Sequence, residues 1–338
     1  MIAEAIKKLV ERRNLDRAEM HAVFGEVMDG KATDVQKSAL LIALRMKGET
    51  ADEITGAAIA MRERVTPLET NGLEVVDTCG TGGDGRGTFN ISTIAAIVAA
   101  AAGAMVAKHG NRAVSSSCGS ADLLAELGVT IDLDARRMSE VLRRTGISFL
   151  FAPKLHPAMG AVMGVRRELG VRTIFNVLGP LTNPAFARRQ VLGVYSDHLV
   201  DVLATVLLAL GHDHAMVVHS RDGLDEISVS APTRVAEVRN GELHAYELTP
   251  EDVGVRQHPI EHVAGGDARE NARIARAILA GEDGARFDIV VANAGAALYV
   301  AGVARSVLDG VALAREAIKS GEAARKLDSL AAASREVQ

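Results

Sequence analysis

At 338 residues, 48% hydrophobic and 24% charged, the chain has the make-up of a globular protein with room for about two domains and a sizeable core. Its net charge of −5 offers no overall basic field to nucleic acid or an anionic membrane, and aromatics at 3% without tryptophan leave few surfaces for stacked bases. Two cysteines, Cys79 and Cys118, are too few for a disulfide scaffold or a zinc site and fit a reducing cytoplasm, the expected location.

Residues 1–70 read as four helices. Ile2, Ile6, Leu9 and Val10 form one apolar stripe. Asp16 with Glu19, Thr33 with Gln36, and Thr50 with Glu53 have capping-box spacing, which marks three helix starts. Gly30 and Gly48 stand where helices stop. The third helix, 35–47, carries Leu40, Leu41, Ile42 and Leu44, more apolar surface than one stripe needs. It packs either within this core alone or also against a partner subunit. The N-terminus lacks the apolar stretch of a signal peptide, and the run 94–107 is alanine-rich and too short to span a bilayer.

From residue 73 strands and helices alternate, which implies an α/β domain with a mostly parallel sheet. Strands are expected at 73–77, 105–107, 147–151, 190–195 and 215–219, and helices at 91–102, 121–127, 156–169 and 199–210. Residues 173–184, apolar but punctuated by Gly179, Pro180 and Pro184, read as a packed connection. Strands 235–238 and 243–248 form a hairpin across Asn240-Gly241. Helices at 269–279, from Asn293, and at 307–332 complete the chain.

In open α/β sheets ligands bind beyond the carboxyl ends of the strands. Three polar, glycine-bearing stretches fall there: 80–93, 108–120 and 222–226. The first runs Gly80-Thr81-Gly82-Gly83-Asp84-Gly85, then Thr88-Phe89-Asn90-Ile91-Ser92-Thr93 into a helix. Its glycines allow close backbone approach, and a helix N-terminus beyond it favours an anion, most often phosphate. It matches G-x-G-x-x-G in form, but the helix begins too late for a dinucleotide site, and the next strand ends in Lys108-His109 instead of an acid. No Gly-Lys-Ser/Thr follows, so it is no Walker loop. Lys108 and Arg112, with Ser115, Ser116 and Ser117, suit phosphate or pyrophosphate. Asp225-Glu226 on its own is ordinary surface charge; beside a phosphate cradle it becomes a candidate Mg²⁺ pair, with Asp84 and Ser92 as further oxygen donors. Arg166 and Arg167 sit on one expected helix with His156, and a guanidinium there suits a carboxylate substrate.

The motifs Asp77-Thr78-Cys79-Gly80-Thr81-Gly82-Gly83-Asp84, Lys108-His109-Gly110-Asn111-Arg112-Ala113-Val114-Ser115-Ser116, Gly119-Ser120-Ala121-Asp122, Phe175 through Pro184 and Gly223-Leu224-Asp225-Glu226 stand in one order along the chain. With the 88–93 stretch, that ordered set closely resembles the anthranilate phosphoribosyltransferase family of tryptophan biosynthesis, and the likeness covers nearly the whole chain. The resemblance implies a small N-terminal all-helical domain, 1–70 joined by part of 155–185, and a larger α/β domain, 71–338, like that of nucleoside phosphorylases. It implies a homodimer through the helical domains, and Mg²⁺-dependent transfer of phosphoribose from phosphoribosyl pyrophosphate to anthranilate.

By position, the resemblance implies that Gly80, Gly83, Asp84, Thr88, Asn90, Ile91, Ser92, Thr93, Lys108, His109, Gly110, Asn111, Arg112, Ala113, Val114, Ser115, Ser116 and Ser120 bind phosphoribosyl pyrophosphate. Gly80, Asn111 and Arg166 would meet anthranilate, with His109, His156 and Pro180 along its access path. Ser92, Asp225 and Glu226 would serve the metal. No residue is assigned as acid or base, because an aromatic amine is already nucleophilic at neutral pH and pyrophosphate leaves once its charge is neutralised. The other readings are a pyrimidine nucleoside phosphorylase of the same fold and a non-enzymatic nucleic-acid-binding homologue, the latter disfavoured by the net charge. A bulky thiol modification at Cys118, beside the expected pocket, should inhibit.

Overall fold

The computed structural model describes residues 1–113 and 117–337. The chain opens with helices α1 (Ile2–Val10), α2 (Arg17–Met28), α3 (Asp34–Lys47) and α4 (Ala51–Arg62). All three capping boxes form: the side chains of Asp16, Thr33 and Thr50 accept from the N–H of Glu19, Gln36 and Glu53, whose side chains reach back. Glu53 does more than cap. Fully buried, it accepts from Lys47 Nζ at 2.9 Å and Leu15 N at 3.0 Å, tying α3 and the α1–α2 turn to α4.

The α/β part runs β1 (Val76–Asp77), α5 (Ile91–Ala101), β2 (Val106–Gly110), α6 (Ser120–Glu126), α7 (Ala135–Thr145), β3 (Ile147–Phe151), α8 (Ala152–Leu155), α9 (Gly160–Leu169), α10 (Phe175–Leu178), β4 (Arg189–Gly193), α11 (Leu199–Ala209), β5 (His214–Ser220), β6 (Thr233–Arg239), β7 (Glu242–Leu248), α12 (Ala268–Leu279), α13 (Ala285–Val300), α14 (Val307–Lys319) and α15 (Glu322–Glu336). The seven strands order as β3-β2-β1-β4-β5-β6-β7. The first five in this order run parallel; β6 and β7 form the antiparallel hairpin on the edge, across Asn240-Gly241.

Each sheet face has its own core, and β5 shows why. Met216 and Val218 join one apolar cluster with β1–β3, α5 and α13. Ala215 and Val217, pointing the other way, join a second cluster with α1–α4, α10 and α11. Leu40, Leu41 and Leu44 of α3 are buried in that second core, while Val35 and Met46 remain 79% and 75% exposed.

Several elements depart from the expectation. The 156–169 helix is broken, because Pro157 drives His156 out of the helical region (φ −121°, ψ 66°), and the helix restarts at Gly160. His156 and Arg166 therefore do not share a helix. Residues 173–184 hold a helical turn, α10, and a further turn at Gly179–Thr182. The 307–332 helix is two, because Gly321 adopts φ 78°. Helix α7 was not foreseen: its four arginines mask the spacing of Met138, Val141 and Leu142, although Asp134 caps it and Gly146 ends it. Helix α13 starts at Ala285, well before Asn293; the acid in its first turn, Asp288, is buried, paired with Arg256 and Arg315, and 2.8 Å from His258 Nε2.

Candidate active site

The site is built from the carboxyl ends of β1, β2, β4 and β5. Asp77 closes β1 and is fully buried. It accepts from Cys79 N at 3.0 Å, His109 N at 3.1 Å and Asn183 Nδ2 at 2.7 Å, so one carboxylate fixes the turn after β1, the end of β2 and the Asn183 connection. Burial pushes it up to about 6, against the pull of Lys108, Asn183 and the two N–H groups. Beside it the buried Lys108 ammonium donates to Thr78 O at 3.2 Å, Thr78 Oγ1 at 3.1 Å and Ser92 Oγ at 3.4 Å. Its position between Asp77 and Glu226 supplies the positive charge both acids feel.

Three carboxylates crowd opposite. Glu226 Oε1 accepts from Ser92 N at 3.2 Å, so the first turn of α5 already engages a carboxyl oxygen. Burial, reinforced by Asp84, pushes Asp225 up to about 7. Burial, reinforced by Asp225, pushes Glu226 up to about 8. Asp84 Oδ1 accepts from Arg86 N at 3.0 Å, whereas its buried Oδ2 has no partner. Crowded, proton-seeking acids with an orphaned oxygen fit a divalent cation. Among the described residues no three His, Cys, Asp or Glu side chains close into a ready-made metal cage. That suits Mg²⁺, which takes one or two carboxylates and completes its shell with water and phosphate oxygens.

Glycine lets these strands of chain cross. Thr81 donates to Gly193 O through N (2.8 Å) and Oγ1 (3.3 Å), and Tyr195 N returns a bond to Thr81 Oγ1 at 3.1 Å. A Cβ at Gly80 would lie 2.9 Å from Gly193 O, and one at Gly193 only 1.6 Å from Asp225 O. Gly193 thus seats both the glycine loop and the carboxylate pair. Nothing in the sequence reading singled it out; the signal available was a glycine closing an apolar strand before Tyr195-Ser196-Asp197. Arg172, also unforeseen, stacks over the Tyr195 ring at 4.3 Å and donates to Gly83 O.

The second loop is braced by Asp122, which accepts from Arg112 Nη1 at 2.7 Å, Ala113 N at 2.9 Å and Gly119 N at 3.0 Å. Ser120 Oγ donates to Asn111 O at 3.2 Å, and Gly110 faces Ser120 and Phe149 too closely for any side chain. The expected contacts of Val114, Ser115 and Ser116 lie outside the described residues. In the glycine stretch Ile91 and Thr93 are both buried, 1% exposed each. Thr88 pairs with Ala264, and the Asn90 amide is engaged at both ends, with Cys118 O and Asn271.

A buried histidine pair stands behind the end of β2. His109 Nδ1 lies 3.1 Å from Gly179 O, which only accepts, so Nδ1 carries the proton. His109 Nε2 then accepts from His156 Nε2–H at 3.0 Å. Burial holds both rings uncharged, pushing His109 down to about 3 and His156 down to about 4. Arg166 is half-buried under the Phe175 ring, 5.0 Å from its centroid, while Arg167 is exposed. Burial lowers Arg166 from its ordinary value. Cys79 and Cys118 are both pushed up by burial, which makes neither an activated thiol.

A helical bundle joined to an α/β domain whose crevice offers glycine, lysine and paired carboxylates is the architecture of a glycosyl transferase. The family's helical bundle domain matches residues 3–65 and its a/b domain residues 72–324. Within it, the chain belongs to the anthranilate phosphoribosyltransferases. It is 56% identical over 335 residues to the anthranilate phosphoribosyltransferase of an Anaeromyxobacter species, covering 99% of each chain. The crystal structure of the Thermus thermophilus anthranilate phosphoribosyltransferase superposes with a TM-score of 0.93 at 47% identity, over 98% of this chain and 99% of that one. The Saccharomyces cerevisiae enzyme in complex with phosphoribosyl pyrophosphate and Mg gives 0.90 at 28% identity, over 99% and 98%.

Proposed function

We propose that this protein transfers phosphoribose from phosphoribosyl pyrophosphate to the amine of anthranilate, releasing pyrophosphate and forming N-(5-phosphoribosyl)anthranilate, a step in making tryptophan. The observation that carries this reading is the convergence of Lys108, the glycine loop and the Asp84, Asp225 and Glu226 carboxylates at the strand ends. Such a set suits a pyrophosphate and its metal, and it contains no nucleophile–base pair. Gly80, Gly83, Asp84, Thr88 and residues 90–93 form one wall of the pyrophosphate pocket. Lys108 through Ser116, with Ser120, form the other.

Asp225 and Glu226, with Ser92, hold Mg²⁺, which when bound neutralises the leaving pyrophosphate. The Lys108 ammonium adds a fixed positive charge in a site largely shielded from water, where it favours charge developing on the bridging oxygen. Arg166 takes the anthranilate carboxylate, and Asn111 and Gly80 orient the ring. The amine nitrogen attacks C1 of the ribose as the C1–O bond to pyrophosphate breaks; the surplus amine proton passes to solvent or pyrophosphate. His109, with Nδ1–H donated to Gly179 and Nε2 accepting from His156, has no lone pair left for that proton. Catalysis here is positioning and electrostatics.

The exposed apolar side chains of Val10, Val35 and Met46 on the helical domain support a homodimer through that surface. Cys79 and Cys118, both thiols and not joined in a disulfide, support a reducing, cytoplasmic setting. No helix among the described residues is long and apolar enough to cross a membrane. Mass spectrometry of a reaction with both substrates and Mg²⁺ tests the assignment. Phosphoribosylanthranilate and pyrophosphate should appear in equal amounts; consumption of a nucleoside and phosphate instead would replace the reading with a phosphorylase.

A further inference from the structure

Asn271 lies on α12, outside every segment assigned to substrate, and is only 1% exposed. Its Oδ1 accepts from Gly266 N at 2.8 Å and its Nδ2 donates to Asn90 Oδ1 at 2.9 Å. Asn90 Nδ2 in turn donates to Cys118 O at 3.0 Å. Each amide has one orientation that satisfies this chain of bonds, because Gly266 N–H can only donate and Cys118 O can only accept. A flip of either amide would set two acceptors or two donors face to face.

The bonded groups belong to three different segments. Asn90 ends the glycine loop, Cys118 belongs to the loop after β2, and Gly266 leads into α12. The 264–266 segment also backs directly onto the glycine loop. Gly265 N donates to Gly87 O at 2.9 Å, Thr88 pairs with Ala264, and a Cβ at Gly265 would lie 2.5 Å from Phe89 N. Lys108 Nζ, donating to Ser92 Oγ at 3.4 Å, joins the same two loops nearer the strand ends, and Asn90 reaches the second loop only in the orientation that Asn271 imposes.

We propose that Asn271 is a positioning residue for phosphoribosyl pyrophosphate: by locking the Asn90 amide it sets the spacing between the 80–93 and 108–120 loops. The inference rests on the assignment of those loops to this substrate. Asn90 then acts through its side chain as a brace between the walls, and only its backbone faces the pocket.

Asn271→Asp tests this. The carboxylate still accepts from Gly266 N–H but turns an oxygen toward Asn90 Oδ1. Loss of one buried neutral bond should raise both the KM and the calorimetric Kd for phosphoribosyl pyrophosphate roughly tenfold. The KM for anthranilate should stay within about twofold, because no anthranilate group touches this chain of bonds. Asn271→Ser, smaller and uncharged, serves if the aspartate variant does not fold. In a double-mutant cycle, Asn90→Ala with Asn271→Ala should bind no more weakly than Asn90→Ala alone. A folded variant whose Kd is unchanged, or single effects that multiply in the double variant, would overturn the inference. Absence of phosphoribosyl pyrophosphate binding by the unaltered protein would instead overturn the pocket assignment beneath it.

Discussion

Replacing Asp225 and Glu226 together by Asn and Gln should stabilise the metal-free protein while removing its activity. Burial and mutual repulsion push these acids up to about 7 and about 8. A carboxyl whose pKa is raised by folding favours the fold when protonated. That contribution is complete below its unfolded pKa, near 4, and is lost as pH rises through 7 to 8. At about 1.4 kcal/mol per unit, and discounted for the solvent that reaches these half-buried residues, ionising the pair costs the fold roughly 3–5 kcal/mol at pH 8. The amides are isosteric, carry no charge, and keep an oxygen for the Ser92 N–H bond. In chelator at pH 8 the double variant should therefore melt about 5 °C above the unaltered protein, scaled from 2–4 °C per kcal/mol in smaller domains. At pH 5.5, between the unfolded and folded values, the difference should shrink to about half, and it should vanish only below about pH 4. Turnover should fall by about a hundredfold or more at either pH, since the charge that holds the metal is gone. Differential scanning fluorimetry in EDTA, across both pH values, makes the measurement. A variant that melts below the parent at pH 8, or by the same difference at pH 5.5, would refute the reasoning.

The histidine pair carries the opposite sign. Folding pushes His109 and His156 down to about 3 and about 4, so their contribution is complete above pH 6.5 and drains away toward pH 4; in NMR neither imidazole should titrate above pH 5, and a midpoint near 6.5 for either would contradict the geometry. Gly193→Ala places a Cβ where Asp225 O sits, 1.6 Å away. It should leave the circular dichroism spectrum native but weaken Mg²⁺-dependent turnover by about tenfold or more, and unchanged kinetics would show that the Asp225 loop is not seated there. Asn183→Ala strips Asp77 of its shortest bond, 2.7 Å, and should cost about 1–3 kcal/mol in urea unfolding at pH 8; a loss well under 0.5 kcal/mol would mean that water replaces the amide without penalty.

Local chemistry was legible in the sequence. Three capping boxes, the Asn240-Gly241 hairpin and the glycine loop are each written within a few adjacent residues, and each forms. The approach of Lys108 to Ser92, and of Glu226 to the same helix turn, followed from expecting ligands at strand ends. Contacts across long separations were not legible. Gly193 matters because Asp225 O presses on it, and Asn271 because Asn90 is 181 positions away; neither fact has a local signature. Strand β1 is only Val76–Asp77, because the extended residues before it find no ladder partner. Charge hid two signals: the arginines of α7 and the buried Asp288 of α13 interrupt the apolar spacing that marks a helix.

The central claim is a pyrophosphate pocket walled by residues 80–93 and 108–120 with its metal at Asp225 and Glu226. A crystal structure with phosphoribosyl pyrophosphate and Mn²⁺ in place of Mg²⁺ tests it most directly. The anomalous signal of Mn²⁺ should fall against the Asp225 and Glu226 carboxylates, with the pyrophosphate between Lys108 and the glycine loop. Mn²⁺ away from both acids, or pyrophosphate outside those two walls, would contradict the account.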